Sequence, residues 1–309
     1  MPTAFCDCFF CRTMLTLPAY AKINWSLRVL GKRPDGFHEI CTVFQTISLS
    51  DRLTFEEDGD LLLTCDAPDV PVTEDNLIIR AALALHKRFH IKKGARIHLE
   101  KRIPSPGGLG GGSADAAVSL LALSELWEIK TNLSELTGIG KTLGADVPFF
   151  LSGGTALGTE LGTEIELLPD VPKKLLLIVT PDENVSTREA YKSLDAPLLT
   201  KENSKSILKI CRVEAQNSDF LHTGLHNDFE AAVFRNYPEI ERVRKSLLKL
   251  GAASSLMSGS GASVFAIFDK QETRQTAFSI LSQTEKSWRV FSCETISRPE
   301  YQDAFRMFS

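Results

Sequence analysis

Between Gly107 and Gly112 the chain sets five glycines around Leu109, and an apolar segment opens directly after Ser113. Glycine has no Cβ, so it lets a backbone approach a ligand closely and take positive φ. The segment from Ser113 to Trp127 is rich in Ala and Leu and holds neither Gly nor Pro. Apolar residues cover most of its circumference, which predicts a buried helix. Ser113 and Asp115 stand where N-terminal capping and first-turn negative charge are favoured. A glycine turn at a helix start offers unspent N–H groups and the positive dipole end to an anion. The chemistry that suits this arrangement is the binding of a nucleotide triphosphate. By composition alone, a flexible loop before a core helix reads the same way.

Two better-known glycine loops do not fit. A Walker loop ending at Gly140-Lys141-Thr142 needs glycine where Glu135 stands. A dinucleotide fingerprint starting at Gly108 needs a third glycine where Ser113 stands. Three other stretches carry usable chemistry. Lys22 and Asn24 share one face of an alternating strand. Asp146 lies in a Gly-Ala-Asp-Val-Pro corner, where it serves either as a turn residue or as a rigidly held carboxylate. Ser258-Gly259-Ser260-Gly261 is a second tight turn, directly before the apolar run Val264–Phe268.

The positioning elements follow from periodicity and punctuation. Leu15–Leu30 alternates as a half-buried strand. Pro34-Asp35-Gly36 marks a turn, and His38–Leu49 returns as a second strand. Arg52–Glu57 and Leu61–Cys65 are expected to continue as a meander. Glu74-Asp75-Asn76 is expected to start a helix running to about His86–Phe89, with Asp75 in the first turn or as cap. Ala95–Lys101 is a strand that feeds the glycine loop, and Leu133–Leu143 is a helix ended by Gly144. Pro148 is expected to hold Val147 extended, which makes a helix-to-strand corner at Asp146. Asp170-Val171-Pro172 marks a boundary. Beyond it come a strand at Lys174–Thr180, a helix entered before Tyr191, a polar helix at Leu199–Cys211 and helices at Asn227–Val233 and Pro238–Leu250. A strand at Val264–Phe268, a helix at Glu272–Ser282 and a strand at Trp288–Cys293 complete a split β-α-β pattern.

Composition narrows the function. The 309 residues are 43% hydrophobic and 24% charged, as for a soluble globule of one or two domains. A net charge of −4 argues against a nucleic-acid surface. No apolar run reaches the roughly 18–20 residues of a membrane span. Seven scattered cysteines form no secreted framework, which points to a reducing cytoplasm. Cys6, Cys8 and Cys11 cluster without a nearby fourth ligand, and His86 and His90 are spaced as a solvated helix end. Residues 1–13 have no periodicity, so they are expected to be a disordered extension or to lie upstream of a start at Met14.

Pro18–Leu27, Pro104–Ala117 and Leu256–Phe265 resemble, in order, three motifs of the GHMP small-molecule kinases. The resemblance implies an α+β, two-domain GHMP kinase fold. A ribosomal protein S5 domain 2-like N-terminal domain, 14–169, would bind ATP, and a ferredoxin-like C-terminal domain would span 170–309. It implies that Asp146 is the base and Lys22 its partner. Pro104, Gly107, Gly108, Leu109, Gly110, Gly111, Gly112, Ser113 and Ala114 would hold ATP, with Asn76 on the adenine side. Ser113 is also the candidate Mg²⁺ ligand; the family often has a second serine where Ala114 stands. The runs Pro34–His38 and Leu143–Phe150 resemble the family branch that phosphorylates a cytidine diphosphate-linked alcohol on the route to isoprenoid precursors. That substrate would meet Asn24, Phe37, His38, Thr187, Tyr191, Ser258, Gly259, Ser260 and Gly261. Phe37 and Tyr191 would sandwich the cytosine, with His38 at its edge. The family often has Tyr at Phe37, so a hydroxyl is lost there. The implied partner is this small molecule, with no nucleic acid and no membrane, in a cytoplasmic monomer or homodimer. A GHMP kinase for another alcohol would share the loop without the aromatic clamp. A non-catalytic nucleotide-binding regulator would not need both Lys22 and Asp146.

Overall fold

A computed structural model describes residues 14–194, 209, 212–213 and 225–305. The three clustered cysteines, the question of residues 1–13 and, apart from Lys209, the helix expected at Leu199–Cys211 lie outside them.

Strand β1 (Met14–Lys32) and strand β2 (His38–Asp58) form one long antiparallel ribbon, joined through the predicted Pro-Asp-Gly turn. The ribbon is irregular where it matters. Register shifts fall between Tyr20 and Lys22 and between Asn24 and Ser26, and such bulges re-aim side chains. The alternation expected of a half-buried strand is replaced by burial on both faces from Ala21 to Leu27. The reason is a second sheet stacked on the first: Ile23 and Trp25 pack with Ile178 and Phe265 in one core. The other face of β1 carries Lys22 and Asn24, both buried.

Leu61–Cys65 (β3) corrects the expected meander. It pairs in parallel with β4 (Gly94–Glu100), which itself lies antiparallel to the end of β2. Between them runs α1 (Leu77–Phe89), capped by Asn76 rather than Asp75; the Asn76 carboxamide oxygen accepts from the Ile78 N–H at 2.9 Å. The first half of β2 pairs with β5 (Thr155–Glu160), which pairs with β6 (Glu164–Leu167). Helix α2 (Gly111–Leu126) lies across this sheet and is buried nearly all round, as its composition predicts. Its N-cap is Gly110, so neither Ser113 nor Asp115 caps it. Helix α3 (Leu133–Leu143) matches the predicted bounds. The expected extended Val147 is instead the first residue of a short helix, α4 (Val147–Phe150), because Pro148 sits in the first helical turn, where its missing N–H costs nothing.

The second sheet has the order β11-β7-β10-β9, all antiparallel: β7 (Leu175–Thr180), β9 (Ser254–Met257), β10 (Val264–Phe268) and β11 (Arg289–Glu294). That order is the ferredoxin-like one. Helix α5 (Thr187–Lys192) follows β7. The helix expected from Asn227 begins at Glu230 as α6 (Glu230–Asn236), because His226–Asn227 is a short strand, β8, that pairs in parallel with β1. Helices α7 (Pro238–Lys249) and α8 (Gln271–Thr284) cover the second sheet. A terminal helix, α9 (Arg298–Asp303), was not expected from the sequence. It opens with a capping box, Ser297 with Glu300, and returns Tyr301 and Phe305 to the core of the first sheet.

Candidate active site

The glycine loop is set between the two sheets. Gly108 and Gly110 have φ of 71° and 72°, so each uses the left-handed region that glycine tolerates. A Cβ on Gly108 would lie 2.1 Å from the Ser258 carbonyl oxygen, and one on Gly110 would lie 2.7 Å from the Phe150 ring. The glycines are therefore demanded by close packing as well as by conformation. The Ala114 N–H bonds the Gly110 carbonyl, leaving those of Gly111, Gly112 and Ser113 without an intrahelical partner. Three N–H groups at a helix start could receive an anion.

The second turn braces the first. Ser258 Oγ donates to the Gly108 carbonyl at 2.9 Å, and the Ser263 N–H donates to the Gly107 carbonyl at 3.2 Å. Asn227 holds the turn by donating to the carbonyls of Met257 and Gly259, each at 2.8 Å. Thr187 Oγ1 and Ser260 Oγ share a bond of 2.9 Å, tying α5 to the same turn.

Lys22 reaches across to the loop. Its ammonium donates to Asn24 Oδ1 at 2.7 Å and to the Gly108 carbonyl at 3.0 Å, and lies 3.4 Å from Asp146 Oδ2. Asn24 is fixed in turn by donating to Thr42 Oγ1 at 2.7 Å. Asp146 makes no capping bond at the start of α4, and its side chain keeps 29% exposure. A buried ammonium thus faces a carboxylate that is open to a ligand.

A cavity of about 1130 Å³ joins these groups. Lys22, Asn24, Asp146, Pro104, Gly107–Ser113, Thr187, Gly259 and Ser260 line it, and so do Phe37, His38 and Tyr191. Ser258, Gly261, Ala114 and Asn76 do not line it. Asn76 is occupied as the α1 cap and donates to the Pro71 carbonyl at 2.7 Å, while Leu77 beside it lines the cavity. The aromatic clamp differs from the expected one. His38, not Phe37, stacks on Tyr191, with centroids 5.0 Å apart and planes 23° apart. Phe37 is 61% exposed at the cavity mouth. Burial, with the Lys32 charge, pushes the His38 imidazole down. Burial and then the Asp146 charge push the Tyr191 phenol up to about 12.

One buried cluster was not legible. Lys101 Nζ donates to Asp51 Oδ2 at 2.5 Å and to Asp115 Oδ2 at 2.8 Å. Asp51 Oδ1 also accepts from the N–H groups of Arg102 and Ile103, at 2.5 and 2.8 Å. The cluster therefore anchors the chain as it enters the glycine loop. The three residues come from β2, the residue just after β4 and the first turns of α2, and their spacing in sequence carries no signal.

Among the described residues, no group of three His, Cys, Asp or Glu side chains is arranged to hold a metal, and no helix is long and apolar enough to cross a membrane.

The fold and this geometry define a class, and the comparisons agree with it. The family model "GHMP kinases N terminal domain" matches residues 76–154, and "GHMP kinases C terminal" matches 199–286. The chain belongs to the GHMP kinases. Within that family its similarity is specific. It is 38% identical to 4-diphosphocytidyl-2-C-methyl-D-erythritol kinase of Thermoanaerobacter pseudethanolicus, over 92% of this chain and 97% of the relative. It is 41% identical to the kinase of the same name in Moorella thermoacetica, over 88% and 96%. A solved 4-(cytidine 5'-diphospho)-2C-methyl-D-erythritol kinase superposes with a TM-score of 0.73 at 33% identity, over 91% and 99%. A homoserine kinase from Cytophaga hutchinsonii superposes at 0.69 with 18% identity, over 96% and 98%, a likeness of fold alone.

Proposed function

We propose that this chain transfers the γ-phosphoryl group of ATP to the 2-hydroxyl of 4-diphosphocytidyl-2-C-methyl-D-erythritol, a step of the non-mevalonate route to isoprenoid precursors. The observation that carries the reading is the Lys22–Asp146 couple at 3.4 Å, lining one cavity with the glycine loop and with the His38–Tyr191 stack. The relatives at about 40% identity supply the particular alcohol.

Phosphoryl transfer asks a protein mainly for in-line positioning and charge neutralisation. The N–H groups of Gly111, Gly112 and Ser113 receive phosphate oxygens. Asp146 accepts the hydroxyl proton as the new O–P bond forms and the bond to the β-phosphate oxygen breaks, with ADP leaving. Lys22 stands 3.4 Å from Asp146 and adds positive charge where negative charge gathers. Cytosine meets the aromatic end of the cavity, at His38, Tyr191 and Phe37. Residues 14–169 carry the ATP side and 170–309 supply the second turn and α5.

Mg²⁺ fits as a companion of the triphosphate. The Ser113 hydroxyl lines the cavity and has no hydrogen-bond partner among the described residues, and Mg²⁺ needs only one or two protein oxygens beside phosphate and water. Ser113 would hold it, and it would supply charge neutralisation. A cytoplasmic location follows from the substrate and from the seven cysteines.

A coupled ADP-release assay over a small panel of alcohols tests the reading. Turnover is expected with the cytidine-linked alcohol and not with homoserine, mevalonate or a sugar. Turnover of one of those three, indifferent to added cytidine compounds, overturns it.

A further inference from the structure

The charges along the cavity are unequal. Among the described residues four cations line it, Lys22, Lys32, Arg188 and Lys192, against one carboxylate, Asp146. Lys22 and Asp146 cancel as a pair, which leaves three positive charges in a chain whose net charge is −4. Lys32, Arg188 and Lys192 are exposed and make no ion pair among the described residues. By contrast Arg33, next to Lys32, is engaged by Asp35 and Glu39 at 3.1 and 2.9 Å.

Their placement is ordered. Helix α5 presents two one-turn pairs to the cavity: Thr187 with Tyr191, and Arg188 with Lys192. Thr187 is pinned to the second glycine turn and Tyr191 to the His38 ring. The cationic pair therefore stands beside the aromatic stack on the same short helix. Lys32 approaches from the other side, since it pairs with His38 across the end of the β1–β2 ribbon. Like charges one helical turn apart are mutually destabilising, so a facing anion relieves them.

We propose that Lys32, Arg188 and Lys192 are specificity-determining residues that form a subsite for a diphosphate group, placed between the aromatic end of the cavity and the Lys22–Asp146 couple. This assignment rests on the cytidine diphosphate-linked substrate proposed above. It makes the linker of that substrate, and not only its base, a recognition element. A neutral alcohol of similar size gains nothing from the three cations.

The test uses the full chain with the glycine loop saturated by a nonhydrolysable ATP analogue, and calorimetric titration of two probes, cytidine and CDP. The unmodified chain is expected to bind CDP about 10- to 100-fold more tightly than cytidine, the worth of one charge-assisted contact or more. The preference is expected to shrink as salt is raised, because the cations are exposed. Replacing all three, Lys32→Gln with Arg188→Gln and Lys192→Gln, should bring the two affinities within about threefold of each other. Lys32→Arg with Lys192→Arg should keep the preference. Retained binding of the ATP analogue shows that the variants are folded. If the triple variant keeps the CDP preference, or if the unmodified chain has none, the subsite is wrong and the cytidine reading stands. If the unmodified chain binds neither probe, the substrate reading fails and the subsite with it.

Discussion

Ser258 Oγ donates to the carbonyl of Gly108 at 2.9 Å, and so joins two glycine turns that belong to different sheets. That carbonyl also accepts from Lys22, so a single peptide group links the loop, the second turn and the Lys22–Asp146 couple. The loop's shape is held by its neighbours as well as by its own glycines.

Gly108→Ala therefore should abolish ATP binding, because an added Cβ meets the Ser258 oxygen at 2.1 Å and φ is 71°. Ser258→Ala is milder. It removes one bond while Lys22 still serves the carbonyl, so a loss of about 1 kcal/mol in stability is expected. Calorimetry with an ATP analogue and urea denaturation would show both; tight ATP binding by the Gly108 variant would contradict this account of the loop.

Asp146→Asn and Lys22→Met should each lower kcat by roughly 10²–10⁴, the usual worth of a positioned proton-transfer group. Asp146→Asn should still bind the ATP analogue, because the cradle is built of backbone N–H groups. Near-normal turnover in the Asp146 variant removes it as the base.

Lys101→Met should destabilise the fold by roughly 3–5 kcal/mol, since it leaves the buried carboxylates of Asp51 and Asp115 without their cation. Lys101 itself loses by burial, but the charges of Asp115 and Asp51 outweigh that and hold it above the ordinary lysine range. Chemical denaturation gives the number, and a loss under about 1 kcal/mol would show that the pair is not what anchors the loop entrance.

Asp115 sets a pH dependence. Burial pushes its carboxyl up from 3.8 to about 7, opposed by Lys101 and assisted by Asp51, and its Oδ1 has no hydrogen-bond partner. The folded chain thus holds this proton more tightly than the unfolded chain does. The resulting stability is fully present below the unfolded value and is lost as pH rises through about 7. Asp115→Asn mimics the protonated acid, so its stability relative to the parent should rise between about pH 4 and pH 8. Melting curves at several pH values would reveal a constant difference if the idea is wrong.

Tyr191→Ala should raise KM for the cytidine-linked alcohol by roughly 5- to 150-fold, given about 1–3 kcal/mol for stacking on a base. Tyr191→Phe should change it little. Steady-state kinetics at saturating ATP separates the two; equal effects would mean that the phenol hydroxyl, not the ring face, is used.

Much of this was legible in the chain, for physical reasons. The glycine loop, α2, α3 and the second turn announce themselves because local composition decides them. The strand–helix alternation after Lys174 foretold three of the four strands of the second sheet, but not β9 (Ser254–Met257), which in the sequence reads as part of the second turn. What stayed hidden was long-range. Nothing local tells β3 to pair in parallel with β4, or a two-residue strand at His226–Asn227 to join β1. The burial of both faces of β1 depends on a sheet built from residues more than a hundred positions later. Aromatic types at Phe37, His38 and Tyr191 were visible, but which two rings meet is set by the β1–β2 turn, whose tip leaves Phe37 in solvent.

The helix that carries Tyr301 has a consequence for truncation. Tyr301 donates to the Phe150 carbonyl and packs over Gly153, while the Phe150 ring abuts Gly110. The corner bearing Asp146 is thus wedged from beneath by a residue 151 positions further along the chain than Phe150. A chain cut before Arg298 would keep Lys22, Asp146 and both glycine turns but lose the floor beneath them, so it should be far less active than its intact site residues suggest.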